Sequence, residues 1–174
     1  MGRYRPPAEK QSPYITQQGF ASLQQESRRL WLRRSEVTLA LSAAAAEGDR
    51  SENAEYIYRK KELREIDRRI RYLQKRLPDL IIVKQLPDDL DTVYFAAWVT
   101  LEDEHGHSVN YRIVGADEID PAKNYISADS PMAKALLKRH PDDIVMVHTP
   151  LGTIQYTIID INYQQDTNVN ASDR

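Results

Sequence analysis

The sequence predicts an α+β protein, in which an N-terminal antiparallel helical hairpin precedes a small antiparallel sheet domain with one helix. Two periodicities indicate this architecture. Apolar residues recur every seven positions on both sides of a short polar segment around Gly48, which is typical of two coiled-coil helices joined by a turn. From Val93 onward the apolar period becomes two, which is typical of strands. We expect the hairpin over residues 14–86 and the sheet domain over residues 90–163.

The two ends of the chain carry little that can pack into a core. Residues 1–13 hold three prolines and several basic residues, and residues 164–174 are polar. Such segments cannot bury enough apolar surface to offset the entropy lost on ordering. We expect a disordered N-terminal tail and a flexible C-terminal tail.

The first helix is expected to begin after Thr16, which is a suitable N-cap residue. Its intervening seam positions are weaker, with Ser27 and Arg34 where apolar side chains are the rule. The heptad stripe is nevertheless continuous and consists of Leu23, Leu30, Val37 and Ala44.

The second helix gives a cleaner pattern, with two interleaved apolar rows that run as far as the helix-breaking Pro78. Each arm of about 30 residues would measure about 45 Å at 1.5 Å per residue. The first row is Tyr56, Leu63, Ile70 and Leu77, and the second is Ile66, Leu73 and Leu80.

The outer face of the second helix carries an excess of positive charge that its acidic residues cannot balance. One interpretation is a contact with nucleic acid or another polyanion, and the other is a solvated face that only keeps the protein soluble. The cations are Arg59, Lys60, Lys61, Arg64, Arg68, Arg69, Arg71, Lys75 and Arg76.

Residues 48–56 form the turn between the two helical patterns and concentrate carboxylates there. Gly48 suits the left-handed conformation that ends a helix. Asp49 and Glu52 have the spacing of a capping box, which predicts that they cap the second helix. Glu55 adds a third carboxylate, and a rigid arm that ends in carboxylates can also bring oxygen ligands to a metal ion. The residues alone leave both interpretations open.

The second half of the chain predicts two strand pairs with a helix between them. Ser130 and Pro131 mark the helix start, as an N-cap followed by proline at the first helical position. The expected helix spans residues 132–138, and the expected strands span residues 93–101, 109–115, 144–148 and 153–163.

Composition excludes several classes of protein. The chain has no cysteine, so disulfides and thiol chemistry are excluded. It has neither an apolar run of membrane-spanning length nor a signal-peptide core at its start. We therefore expect a cytoplasmic protein without a membrane partner. We also expect it to be a monomer.

Charge divides the chain into two parts. Residues 1–87 hold 18 Lys and Arg against 11 Asp and Glu, whereas residues 88–174 hold 6 against 15. A basic hairpin and an acidic sheet domain predict different partners for the two parts.

Conventional catalytic motifs are missing from the sequence. No Gly-rich phosphate loop follows a strand, and no zinc-type ligand spacing occurs. His105 and His107 flank a turn glycine, where a solvated loop is favoured over a metal site. Ser130 is better explained as a helix cap than as a nucleophile. We expect no self-contained active site.

The segment GDRSENAEY over residues 48–56 resembles the tip signature of the Gre transcript cleavage factors of bacterial RNA polymerase. The run KKELREIDRRIRYL over residues 60–73 is similar to the GreB branch of that family. The resemblance covers residues 14–163, and further matches are YRIVG at 111–115, DEI at 117–119, YIS at 125–127 and DSPMAKALL at 129–137.

The resemblance implies a transcription elongation factor that is a catalytic accessory to the polymerase and not an enzyme by itself. It implies an FKBP-like sheet domain that docks beside the polymerase secondary channel, with Asp129, Ser130 and Pro131 as the docking residues. The hairpin would thread that channel and bring Asp49 and Glu52 to the active centre. There the two acids would help to hold the second Mg²⁺ and to orient the water that cuts backtracked RNA.

Under this interpretation the protein holds no cofactor alone and shares Mg²⁺ with the polymerase. Its partners would be bacterial RNA polymerase and the 3′ end of the nascent RNA, with DNA met only within the elongation complex. The residues expected to contact RNA are Arg59, Lys60, Lys61, Arg64 and Arg68.

Two other functions remain open at this point. A protein of the same architecture can occlude the channel and inhibit the polymerase, although the presence of both tip acids disfavours this. An FKBP-like isomerase or chaperone is the other alternative, but a fold alone does not define a function.

Overall fold

The computed structural model of the chain describes residues 11–46, 53–150 and 152–163. The chain divides into two compact units. The hairpin unit is Phe20–Leu80, and the sheet unit combines Met1–Gly19 with Ile81–Arg174. Within the described residues, no helix has both the length and the apolar character needed to cross a membrane.

The hairpin unit contains the two predicted helices. Helix α1 spans Gln17–Ala46 and starts in the sheet unit, and helix α2 spans Ala54–Arg76. A short 3-10 helix, Leu77–Asp79, contains Pro78 and ends the second arm. Thr16 is the N-cap of α1, since its Oγ1 accepts a hydrogen bond of 3.0 Å from the Gly19 amide, and this confirms the predicted helix start.

The seam of the hairpin follows the predicted heptads. Val37 from α1 packs with Ile66 and Ile70 from α2, and Leu30 and Leu63 cover this cluster. These contacts confirm the coiled-coil stripe at its centre. The buried apolar residues of the two helices are Leu23, Val37, Ala44, Ile66, Ile70 and Leu73.

Ion pairs supplement the narrow apolar seam. Arg34, which stands at a weak seam position, reaches Asp67 of α2 at 2.7 Å. Arg69 binds Glu26 through two hydrogen bonds of 2.7 and 2.8 Å, the bidentate geometry that favours a guanidinium over an ammonium. Carboxylates of both helices therefore pair with arginines across the hairpin.

The sheet unit holds a five-stranded sheet whose middle strand is β3. Its strands are β3 (Trp98–Asp103), β4 (Ser108–Val114), β5 (Tyr125–Ser127), β6 (Ile144–Thr149) and β7 (Gly152–Asn162), in the order β5-β4-β3-β7-β6. All neighbours are antiparallel except β4 and β5, which are parallel. The α+β architecture is confirmed, and the parallel edge strand is an addition to the predicted antiparallel sheet.

One helix, α3 (Pro131–Leu136), packs against this sheet. The Ser130 hydroxyl accepts a hydrogen bond of 3.1 Å from the Ala133 amide, which confirms Ser130 as the N-cap and Pro131 as the first helical residue. The core of this unit, to which the helix contributes two residues, consists of Val93, Ala97, Val99, Leu101, Ile113, Ala133, Leu136, Val145 and Ile158.

A second, two-stranded sheet joins the segments that flank the hairpin. Strand β1 (Tyr14–Thr16) runs parallel to strand β2 (Ile81–Val83), and Ile15 is fully buried. These strands were not predicted, since both segments were expected to belong to the hairpin. The structure groups them with the sheet unit.

Glu118 fastens β1 and the first turn of α1 to the rest of the sheet unit. Its carboxylate accepts hydrogen bonds from the Thr16 amide at 3.0 Å, from the Thr16 hydroxyl and from the Gly115 amide at 2.8 Å. A Cβ at Gly115 would lie 2.4 Å from the Tyr14 carbonyl oxygen, and one at Gly19 would lie 2.0 Å from a Glu118 carboxylate oxygen. Both glycines therefore leave room for this contact.

Gly115→Ala is expected to lower the free energy of unfolding of the sheet unit by about 1–3 kcal/mol, because the nearest obstacle is backbone that cannot rotate away. The measurement is urea unfolding of the full chain. Gly19→Ala is the comparison, since the three atoms nearest its Cβ all belong to the Glu118 side chain. In a Glu118→Ala background the Gly19→Ala penalty should vanish and the Gly115→Ala penalty should persist. Loss of both penalties would show that Glu118, and not the Tyr14 carbonyl, limits the space at Gly115.

Candidate functional site

The two tip acids predicted as catalytic and metal-binding, Asp49 and Glu52, lie outside the described residues. The helices on either side are described, and they bear on the capping interpretation. Helix α1 extends to Ala46 and α2 begins at Ala54. The N-cap of α2 is Asn53, so the prediction that Asp49 and Glu52 form its capping box is wrong.

Asn53 uses both ends of its side-chain amide. The Oδ1 atom accepts a hydrogen bond of 3.1 Å from the Tyr56 amide, which is the capping contact. The Nδ2 atom donates a hydrogen bond of 2.9 Å to the Ala44 carbonyl, in the last turn of α1. Asn53 therefore links the end of the first arm to the start of the second.

Arg59 lies in a network of ion pairs within the hairpin. It binds Glu55 at 2.7 Å and Glu62 at 3.1 Å, and Glu62 also binds Arg33 at 2.6 Å. Arg33 in turn binds Glu36 at 3.0 Å. Of the cations predicted to contact RNA, Arg59 thus already has two carboxylate partners.

The hydrogen bonds of this network favour the charged forms of the Glu62 carboxylate and the Arg59 guanidinium. Burial acts to raise the pKa of the Glu62 carboxyl, but hydrogen bonds from Arg33 and then Arg59 outweigh burial, so this pKa lies below its usual value. Hydrogen bonds to Glu55 and then Glu62 raise the pKa of the Arg59 guanidinium. Arg59 neutralises charge inside the hairpin and is less available to a nucleic acid than an unpaired cation.

A separate basic stripe runs along the exposed face of α2. Its five side chains recur at spacings of three and four, which places them on one face of a helix over about 21 Å. All five are exposed, and none has an acceptor or ring partner among the described residues. The basic stripe consists of Lys61, Arg64, Arg68, Arg71 and Lys75.

The other predicted cation, Lys60, is exposed and lies 5.7 Å from the centre of the Tyr56 ring, at cation–π distance. The five predicted RNA contacts therefore fall into three settings. Lys61, Arg64 and Arg68 belong to the basic stripe, Lys60 stacks on Tyr56, and Arg59 is paired.

The three predicted docking residues lie together at the start of α3. Asp129 accepts a hydrogen bond of 2.8 Å from the Ser12 amide, Ser130 caps the helix, and Pro131 is exposed. Two of them thus have a local structural role in the sheet unit. Elsewhere, His107 lies 3.1 Å from Asp103, and the described residues hold no cluster of three or more potential metal ligands.

Comparison with known proteins places these features in one class, the transcription elongation factors. Residues 13–82 match the family described as "Transcription elongation factor, N-terminal", and residues 87–163 match "Transcription elongation factor, GreA/GreB, C-term". The chain is 54% identical to transcription elongation factor GreB of Pseudomonas aeruginosa over 164 residues, which cover 94% of this chain and 98% of that protein. It is 55% identical to GreB of Haemophilus influenzae over 155 residues, 88% of this chain and 98% of that one.

The chain therefore belongs to the GreA/GreB family and to its GreB branch. Among solved structures, GreA factor homolog 1 of Thermus thermophilus aligns over 86% of this chain and 97% of its own, at 26% identity and a TM-score of 0.39. The family assignment rests on the sequence matches.

Proposed function

We propose that this elongation factor binds bacterial RNA polymerase, inserts its hairpin into the secondary channel and stimulates cleavage of backtracked nascent RNA by the polymerase. The protein is a catalytic accessory that holds no metal alone. The sheet unit docks on the polymerase, with the segment Asp129–Pro131 at its contact surface. The hairpin delivers Asp49 and Glu52 to the active centre, and the cleaved transcript gives the polymerase a new 3′ end.

One observation carries this proposal beyond family membership. Asn53, and not Asp49 or Glu52, caps α2. The N-cap of α2 therefore does not account for the two acids. Glu55, the third carboxylate of the segment, is paired with Arg59 at 2.7 Å. This leaves Asp49 and Glu52 as the carboxylates best suited to an external partner.

The chemistry of the reaction needs such carboxylates. Hydrolysis of a phosphodiester by two metal ions requires oxygen ligands for both ions and a positioned water. Mg²⁺ retains several waters and takes one or two carboxylates from a protein. Two acids at the end of a hairpin meet this requirement if the polymerase supplies the remaining ligands.

The test is a cleavage assay on elongation complexes that have backtracked and stalled. Adding the protein should raise the rate of transcript shortening in the presence of Mg²⁺, and the protein alone should not cut the same RNA. Binding to the polymerase without any increase in cleavage would contradict the proposal. That result would favour the channel-occluding inhibitor instead.

The basic stripe is proposed to contact the extruded RNA through its phosphates, without reading sequence. Lys61, Arg64 and Arg68 are its members nearest the tip in sequence, and they are exposed and unpaired among the described residues. Arg59 is expected to contribute less because Glu55 and Glu62 already neutralise it.

Replacing Lys61, Arg64 and Arg68 together by Gln should slow cleavage mainly on long backtracked transcripts. The log–log dependence of the rate on salt should flatten by a slope of about 2, because each neutralised phosphate of a single strand contributes about 0.7. The measurement compares short and long backtracks over a salt series.

Arg28→Gln with Arg29→Gln is the control, since both arginines are exposed cations of α1. This control should leave the salt slope close to wild type. An equal loss on short and long backtracks would contradict the RNA contact and indicate a role of the basic stripe in binding the polymerase.

A further inference from the structure

Asn53 makes two hydrogen bonds whose chemistry fixes the orientation of its amide. The Ala44 carbonyl can only accept, so it must face Nδ2, and the Tyr56 amide can only donate, so it must face Oδ1. The backbone carbonyl of Asn53 also accepts the first α2 bond, from the Ile57 amide at 3.1 Å. The residue is half-buried, which limits competition from water.

The Nδ2 atom donates to a carbonyl at the end of α1, where donors are scarce. Ala44 lies in the last turn of α1, which ends at Ala46, so no described residue of that helix stands four positions further on to donate to its carbonyl. Ala44 is also 4% exposed, so water reaches it poorly. A buried carbonyl without a partner is unfavourable, and Asn53 supplies the missing donor from the other arm.

The capping role alone does not require asparagine. Asp and Ser are about as good as Asn at an N-cap, because each offers a side-chain oxygen to the amides of the first turn. Neither an aspartate carboxylate nor the short serine hydroxyl can reproduce an amide donor that reaches Ala44 while its oxygen caps the helix. Only the second hydrogen bond sets asparagine apart from these residues.

We propose that Asn53 is a positioning residue, which holds the last turn of α1 and the first turn of α2 at a fixed separation through the Nδ2–Ala44 hydrogen bond. The chain between these two turns carries Asp49 and Glu52. A fixed separation of the helix ends limits where the acids can be presented. This role rests on the proposed cleavage function, whereas the hydrogen bond itself can be tested on the protein alone.

The first experiment measures the separation directly. The chain has no cysteine, so two introduced cysteines give unique spin-labelling sites. Ser42→Cys and Ile57→Cys place labels at exposed positions of the two arms. Asn53→Asp and Asn53→Ser should each broaden the distribution of distances between the labels relative to Asn53. A distribution that is unchanged in both variants would overturn the proposal.

The second experiment measures cleavage by the full chain on stalled elongation complexes. Both variants should lower the rate at saturating protein by about 5-fold, within the range that loss of one hydrogen bond produces, while the half-saturating concentration stays constant. Helix content should also stay constant, since both variants keep the cap. The Ser variant controls for the charge that Asp introduces near the tip.

If Asn53 only capped α2 and did not position the two helix ends, both variants would stimulate cleavage at the wild-type rate. That result would overturn the proposal. Loss of cleavage in the Asp variant alone would also overturn it, because added charge would then explain the effect. If wild-type protein stimulates no cleavage, the proposed function fails, and the distance measurement still decides whether Asn53 holds the two helix ends.

Discussion

Asp49→Asn and Glu52→Gln are each expected to lower stimulated cleavage by at least about 10-fold at saturating protein. A neutral amide oxygen does not offset the charge of Mg²⁺, and a 10-fold loss corresponds to about 1.4 kcal/mol of activation free energy. Raising the Mg²⁺ concentration should restore part of the rate. Polymerase affinity should stay close to wild type, because the sheet unit is the part proposed to dock.

Thermal stability should barely change in these variants. Asn53 caps α2 and remains in place, so the acids contribute at most a helix-dipole effect of about 0.3–1 kcal/mol. Glu55→Gln is the matched control, since Glu55 is a carboxylate of the same segment that is already paired with Arg59. Cleavage should remain near wild type in this control. Full activity of both the Asp49 and the Glu52 variant would rule out the metal role.

Ile70→Ala is expected to lower the stability of the hairpin unit by about 2–5 kcal/mol and to abolish stimulated cleavage at temperatures where the helices melt. Ile70 is 3% exposed and packs against Val37 and Ile66. A two-helix unit has few such contacts, so losing one removes a large share of its apolar stabilisation. Ile57→Ala is the matched control on the same helix, because Ile57 is 54% exposed.

The measurement is thermal unfolding followed by helical circular dichroism. Ile57→Ala should change stability by less than about 0.5 kcal/mol. The sheet unit can unfold separately, so its transition is followed by the fluorescence of Trp98 in a Trp31→Phe background, which removes the tryptophan of the hairpin unit. Equal destabilisation by the two variants would show that burial in the seam does not determine hairpin stability.

The heptads predicted the hairpin correctly because burial against a single partner helix imposes a period that survives in the sequence. The heptad positions also indicate that Arg59 faces the seam, which a count of charges does not show. Arg59 precedes Ile66 by seven residues and Leu73 by fourteen, so it shares their row and faces the seam. A cation in that row is expected to join ion pairs at the seam, and Arg59 pairs with Glu62 of its own helix, which also binds Arg33 of α1.

The cap of α2 was harder to choose from sequence. Asp49, Ser51 and Asn53 are all good N-cap residues within five positions, and the first of them also has a glutamate three residues later. Local pattern favours Asp49. The Nδ2 contact with Ala44 depends on where α1 ends in space, which the sequence pattern does not report.

The short strands were not predicted from the sequence, for a different reason. Strands β1 and β2 have three residues each and pair across the whole hairpin, and β5 has three residues and is parallel to β4. Three residues are too few to establish a period of two. Their pairing is decided by distant parts of the chain, whereas the helix start at Ser130 was predicted because its cap is local.

The parallel pairing of β1 with β2 makes the hairpin an insertion. The chain leaves the sheet unit after Gly19 and returns at Ile81, and strands β1 and β2, which flank the hairpin, are neighbours in one small sheet. Adding one heptad to each arm would lengthen the hairpin by about 10 Å and leave both attachment points unchanged. Hairpin length can therefore vary between homologues, or be altered by engineering, independently of the sheet unit. In this fold the length of the hairpin is set by the number of its heptad repeats.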